Sequence, residues 1–487
     1  MASRKGHPRT ETDEFGDVTI PAGCYWGVGT ARAIEFFAAT GRPTHPALIE
    51  AIAQVKKAVA ITNGELGQLD RKTVSAITQV CDEILSGQWR DQIVVDAFHG
   101  GAGIGLIVNI NELIANRACE ILGDPVDAPA SVSASRHVNL SQSTADVYTT
   151  AMRIAIMNSL KKLQVTVIEM ERLLRRKSLE FERIVKVGRT SLRDDAPVTL
   201  GQEFNCYGSM IEHALRRIKD AGTNLEEINL GGRSVGTGFN TAPEFAAAAT
   251  RNLAQVTNLS LRPAEDYFRL TQSMSDFAAL SSSLRDLAVD LVKIAGDLKL
   301  MSSGPSAGFS EIKLSDSLLS SSTLWAGVMP KVAIPPLTEL LIMVCYEVMG
   351  NDHAVCLSAQ AGQLEANALT PAIIDNILMS ISTMQKALSD FNHHCLIKIT
   401  ADTARCKELL DKSGAMIAAL TTEVGYEQTL DIIDQAKAQG QDVREYLINS
   451  KVLPRPTLDK IFHYKFLTTP HLLKPGKPQE NSEDDSR

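Results

Sequence analysis

The sequence predicts a mainly α-helical protein built from long helices packed lengthwise. Three observations carry that reading. Ile156, Leu160, Leu163, Val167, Met170 and Leu174 recur at steps of three and four residues, as do Leu284, Leu287, Leu291, Ile294 and Leu298. This is the seam spacing of helices packed in a bundle. The stretch from Ser141 to Lys177 contains neither Gly nor Pro, so one helix can run through most of it. Aromatic residues make up 5 % of the chain, which is low for an all-β protein and ordinary for a helical one.

Taken in order, the first segment mixes short elements with Gly and Pro and is expected to form an N-terminal domain over 1–140. Within it, Ile93–Phe98 reads as a strand ahead of Gly101-Ala-Gly103-Ile104-Gly105, which sketches a dinucleotide fingerprint. That fingerprint needs a third glycine three residues after the second, where Leu106 stands, and no further βαβ units follow. No cofactor is expected. Residues 141–399 are expected to form a central helical bundle, with a helix over Leu337–Val348 stopped by Gly350-Asn351. Residues 400–474 read as a small domain of shorter helices. Residues 475–487 read as a charged, disordered tail.

Composition excludes several classes. Of 487 residues, 44 % are hydrophobic and 22 % charged, which argues for a globular chain with a substantial core. The formal net charge of −8 argues against nucleic-acid binding. Eight scattered cysteines without a CxxC pair point to reduced thiols and a cytoplasmic setting. The polar start from Met1 to Asp13 is unlike a secretory signal, and no apolar run reaches membrane-spanning length. His393-His394-Cys395 invites a metal reading, but adjacent helical residues point about 100° apart, so no metal is expected. The run Arg175-Arg176-Lys177 reads as a solvated helix end favoured by the macrodipole.

The loops then carry a resemblance. Pro21-Ala-Gly-Cys-Tyr-Trp-Gly-Val-Gly-Thr-Ala-Arg-Ala33 comes first, followed by Gly101-Ala-Gly103 and Asn109–Asn116. His137-Val-Asn-Leu-Ser-Gln-Ser-Thr144, Gly188-Arg-Thr190 with Asp194, and Pro197–Phe204 come next. Gly236-Thr-Gly-Phe-Asn-Thr241, Ser302-Ser-Gly-Pro305, Glu311-Ile312, Val348–Asp352 and Gly362–Asn367 complete the series. In this order and over nearly the whole chain, these blocks resemble the aspartase/fumarase superfamily, and within it the aspartate ammonia-lyase branch. The resemblance implies a three-domain, mostly helical subunit and a homotetramer with a twenty-helix core. It also implies active sites where three subunits meet, with a small carboxylate or amino-acid-like substrate as partner.

The implied chemistry is removal of a proton beside a carboxylate, followed by loss of an amine or hydroxide from the β-carbon. It needs a base and donors aimed at a carboxylate whose negative charge grows. By the resemblance, Ser321 stands at the position of the base, with Ser322 beside it, and Lys331 replaces the loop lysine from a shifted position. Gly103, Ile104, Ser143, Thr144, Ser191, Arg233 and Ser234 stand at the substrate-binding positions.

At those positions the chain departs from the pattern. GAGTSxNMN reads with Ile104, Gly105 and Ile107 in place of two hydroxyls and an amide. Ala145 replaces the asparagine of SQSTND, Ser191 the His or Gln of GRT[HQ]LQD, and Arg233 the threonine of GGTAVGTG. Ser306 replaces the arginine of SGPRxG, and the loop over 315–335 is rebuilt. Each lost donor to a charged group removes about 1.5–3 kcal/mol of binding. The sequence therefore leads to a lyase, or its reverse addition, on a substrate other than plain L-aspartate. The alternative is a non-catalytic relative that acts by ligand binding or by joining a paralogue in a hetero-oligomer.

Overall fold

The computed structural model describes residues 8–124, 130–314 and 336–470. Ser321, Ser322, Lys331, the rebuilt loop and the acidic tail lie outside the described residues. In chain order the elements begin with a hairpin of β1 (Arg9–Asp13) and β2 (Gly16–Ile20), followed by α1 (Val28–Phe36), α2 (Pro46–Glu65), α3 (Arg71–Leu85) and α4 (Ile104–Leu122). The long α5 (Thr144–Glu180) precedes a second hairpin of β3 (Val185–Thr190) and β4 (Arg193–Thr199) and then α6 (Leu200–Thr223). Next come β5 (Glu227–Ile228), α7 (Phe245–Thr257), β6 (Arg262–Pro263), α8 (Tyr267–Gln272) and α9 (Ser275–Met301). The chain continues through β7 (Ile312–Lys313), α10 (Pro336–Gln360), α11 (Thr370–His394) and β8 (Thr400–Ala401). It closes with α12 (Thr403–Lys412), α13 (Ala415–Val424), α14 (Tyr426–Ala438), α15 (Val443–Ser450), α16 (Arg455–Ile461) and α17 (Tyr464–Thr468). The fold is mainly α, as expected; every sheet among the described residues has two strands.

The two predicted seams are core. None of their eleven residues is more than 3 % exposed. The 37 residues of α5 make a rod of about 55 Å. Its end departs from expectation: Lys177 is buried, donates to the Ile399 carbonyl at 2.7 Å and lies over the Phe181 ring. Helix α10 does not stop at Gly350-Asn351 but runs on to Gln360. Tertiary contacts override the weak local signal there: Asp352 receives Ser281 Oγ at 2.7 Å and the Arg285 guanidinium at 3.0 Å. Ile93–Phe98 forms no named strand, only an isolated bridge from Asp96 to Pro43. The Asp96 carboxylate instead accepts the N–H groups of Thr40 and Gly41.

The chain gathers into two compact units. The first comprises Met1–Val167, His213–Leu291 and Met343–Ala387, and the second Ile168–Glu212, Val292–Ile342 and Leu388–Arg487. In the first unit α2 is buried along most of its length, through Ile52, Val55 and Val59, between α3 and α7. In the second unit Phe181, Phe204 and Tyr207 stack edge to face. Helices α13 to α16 close a separate cluster around Leu420, Ile432, Tyr446, Leu447 and Ile461.

Candidate active site

A connected set of polar groups surrounds the start of α5. Ser143 is its N-cap. The Ser143 N–H donates to Asp146 Oδ1 at 2.8 Å, and the Ala145 N–H to Ser143 Oγ at 3.3 Å. This is a capping box with Asp at the third position. The second oxygen of Asp146 accepts the N–H groups of Gly231 at 3.2 Å and Arg233 at 3.0 Å. One carboxylate therefore ties the glycine-rich loop 231–238 to the segment that ends in Ser143-Thr144. Asp146 is fully buried, and burial pushes its pKa up to about 6 against the pull of those N–H donors.

The preceding segment, 137–142, is held from below. Lys56 of α2 is buried, and its ammonium donates to Asn139 Oδ1 at 3.0 Å and Gln142 Oε1 at 2.9 Å. Burial pushes its pKa down to about 7, with Asp146 pulling the other way. Ser141, at a left-handed φ of 61°, donates its hydroxyl to Asn63 Oδ1 at 3.0 Å. Sequence reasoning missed Lys56 and Asp146 as organisers. The spacing from Ser143 to Asp146 was the available signal.

The loop that opens α4 meets the same helix. Gly103 has φ 95°, and a Cβ there would lie 2.2 Å from the Tyr148 ring, one turn into α5. Only glycine combines that φ with that approach. Ile104, the first residue of α4, is 48 % exposed. Ile107 stands where the family pattern has an amide. It is buried in the core and offers no wall to a ligand, because it lies one turn further along α4 on the inward face. Gly105 packs tightly, with its absent Cβ 3.3 Å from both Ala33 and Val95. The tryptophan-containing block near the N-terminus is a structural brace. Glu112 accepts the N–H groups of Gly27, Gly29 and Thr30 at 2.7, 2.9 and 3.1 Å.

Thus Gly103, Ile104, Ser143, Thr144, Arg233 and Ser234 all belong to the first unit. Arg233 stands at φ 60°, its backbone fixed by Asp146, and among the described residues its guanidinium forms no ion pair. Ser234 is exposed. Ser191 belongs to the second unit. It and Leu192 both have positive φ at the tip of the β3–β4 hairpin, and both are exposed. No group of His, Cys, Asp and Glu among the described residues has the arrangement of a metal site.

A lyase family model matches residues 16–350. An aspartate ammonia-lyase from Bacillus subtilis is 39 % identical over 95 % of this chain and 96 % of its own length. The chain belongs to the aspartase/fumarase superfamily. A class II fumarate hydratase from Thermosynechococcus vestitus is 36 % identical over 93 % of this chain and 96 % of its own. Among superfamily folds, the structure of a fumarate lyase:delta crystallin from Brucella melitensis, bound to cobalt, superposes with a TM-score of 0.90. It is 37 % identical and covers 95 % of this chain and all of its own. Of the blocks that carry the resemblance, Gly101-Ala-Gly103 opens α4, Ser143-Thr144 opens α5 and Gly236-Thr-Gly238 lies in the glycine-rich loop.

Proposed function

We propose that this lyase acts by β-elimination, or the reverse addition, on a carboxylic acid bearing an amine or related leaving group, and that plain L-aspartate is not its preferred substrate. The observation that carries the second half is Ile104. It stands nearly half exposed as the first residue of α4, next to the Gly103 that packs against α5, and offers a small dianion an apolar side chain where the family pattern has a hydroxyl. Desolvating a carboxylate without partners is costly. An apolar substituent on the substrate would gain from the same surface.

The carboxylate is held by donors that remain. Thr144 and Ser143 stand with their hydroxyls at the N-terminus of a 37-residue helix, where the macrodipole favours an anion. The guanidinium of Arg233, which forms no ion pair among the described residues, supplies a bidentate clamp. Ser321 acts as base with Ser322 beside it, Ser191 adds a hydroxyl and Lys331 a cation. These roles rest on the resemblance and require several subunits to meet. Support for a homotetramer comes from the apolar α10, which leaves Leu340, Met343, Tyr346 and Leu357 exposed in the single chain.

The test is an addition assay. The protein is offered fumarate with ammonia, then with methylamine, benzylamine and other bulkier amines, while the loss of fumarate absorbance is followed. The Bacillus subtilis relative is run alongside. Faster turnover with a bulkier amine than with ammonia is the expected result. Turnover with ammonia matching the relative would overturn the substrate proposal, and no turnover with any partner would overturn the lyase.

A further inference from the structure

The second unit contains a cavity of about 220 Å³ whose lining includes none of the site residues named above, with Leu192 adjoining Ser191 at its edge. A water takes about 30 Å³ in the liquid, so there is room for a small organic molecule. Leu300, Met301 and Phe309 form its apolar lining. Among its polar lining, Tyr207 donates its hydroxyl to Asp297 Oδ2 at 2.7 Å. Lys293 also pairs with Asp297, and its ammonium lies 5.3 Å from the centroid of the Tyr207 ring. The chain therefore already seats one of its own ammonium groups between a carboxylate and an aromatic face, the combination that recognises alkylammonium ions.

That internal occupant is weakly held. Lys293 and Asp297 are four residues apart on α9, and the lysine side chain is 53 % exposed. Exposed pairs of this kind are among the weakest ionic contacts in proteins. The other cations of the cavity are committed elsewhere: Arg189 and Lys186 bind Glu311 at 2.9 and 3.1 Å, and Lys186 also binds Glu203 Oε1 at 2.9 Å. Glu203, a second carboxylate of the lining, has one oxygen that accepts no hydrogen bond among the described residues. With Lys293 displaced, the field in the cavity favours a cation.

We propose that this cavity binds a small primary alkylammonium ion. Asp297 and the Tyr207 ring hold its head, Leu300, Met301 and Phe309 hold its chain, and Lys293 is the occupant it displaces. The test is calorimetric titration of the full chain with n-butylammonium chloride, with n-butanol and sodium chloride as controls. Saturable binding in the millimolar range is expected for the ammonium alone. Lys293→Met removes the competitor and should tighten binding roughly two- to threefold. Asp297→Asn should weaken it at least roughly tenfold. Arg233→Ala should leave it unchanged, which keeps the result independent of the lyase reading. Absence of saturable binding in both the wild type and Lys293→Met would overturn the proposal. So would equal binding by butanol, or a folded Asp297→Asn that binds as tightly as the wild type.

Discussion

Replacing Gly103 with Ala should destabilise the protein more than the same change at Gly123, and the difference isolates a steric contact beneath the candidate site. Both glycines sit in the left-handed region, at φ 95° and 81°. An L-residue there pays roughly 1–2 kcal/mol. At Gly123 a Cβ meets no described atom within 4 Å, so backbone strain carries the cost there. At Gly103 the Cβ would lie 2.2 Å from Tyr148, whose ring is only 1 % exposed and has no room to retreat. Forcing such a contact adds typically about 1–3 kcal/mol. Gly103→Ala should therefore cost about 2–5 kcal/mol and Gly123→Ala about 1–2 kcal/mol. Denaturant midpoints of the two variants, measured at one protein concentration, give the comparison. Adding Tyr148→Leu to Gly103→Ala should recover the steric part and leave the backbone part. Equal midpoints for the two single variants would refute the packing of the α4 loop on α5. So would a Tyr148→Leu background in which Gly103→Ala costs just as much.

Other outcomes follow from the same contacts. Lys56 has a folded pKa near 7 against an ordinary 10.5, so above pH 7 the folded state binds fewer protons than the unfolded one. Stability should rise with pH between those values, by up to about 5 kcal/mol from this group alone, and the rise should flatten in Lys56→Met. Asp146 has the opposite sign. Its folded pKa near 6 lies above the ordinary 3.8, so its contribution is fully present below pH 3.8 and lost as pH rises through 6, and Asp146→Asn should remove that slope. Glu112→Ala leaves three backbone N–H groups and the Thr30 hydroxyl without their acceptor, and should lower stability by about 2–4 kcal/mol in thermal unfolding. Arg233→Ala keeps the backbone bond to Asp146 and should leave the melting temperature unchanged while raising KM for a carboxylate substrate several-fold.

Much of this was legible in the sequence because it is periodic. The seams of α5 and α9 announce themselves by spacing, and burial along both follows the spacing residue by residue. What is not periodic was harder. The end of α10 was misjudged because Gly350-Asn351 is a local stop signal, whereas Asp352 is held by Arg285 and Ser281 from a distant part of the chain. Lys177 reads as a surface charge until the Ile399 carbonyl, far along the sequence, is brought to it. At the site, the capping spacing from Ser143 to Asp146 was visible, but its tie to Gly231 and Arg233 was not, since backbone N–H groups leave no sequence signature. Ile107 shows the converse. Its apolar side chain was legible, but it lies one turn inside the exposed mouth of α4 that Ile104 occupies, and there the helix is buried.

The most direct single measurement is the ratio of kcat/KM for an N-alkylated or β-alkylated aspartate to that for L-aspartate, in the wild type and in Ile104→Thr. A ratio above one in the wild type, falling by about tenfold or more when the threonine supplies a donor and removes the apolar surface, is the predicted result. A wild type that prefers L-aspartate, with a ratio unmoved by Ile104→Thr, would contradict the proposal that Ile104 has turned this lyase toward a bulkier substrate.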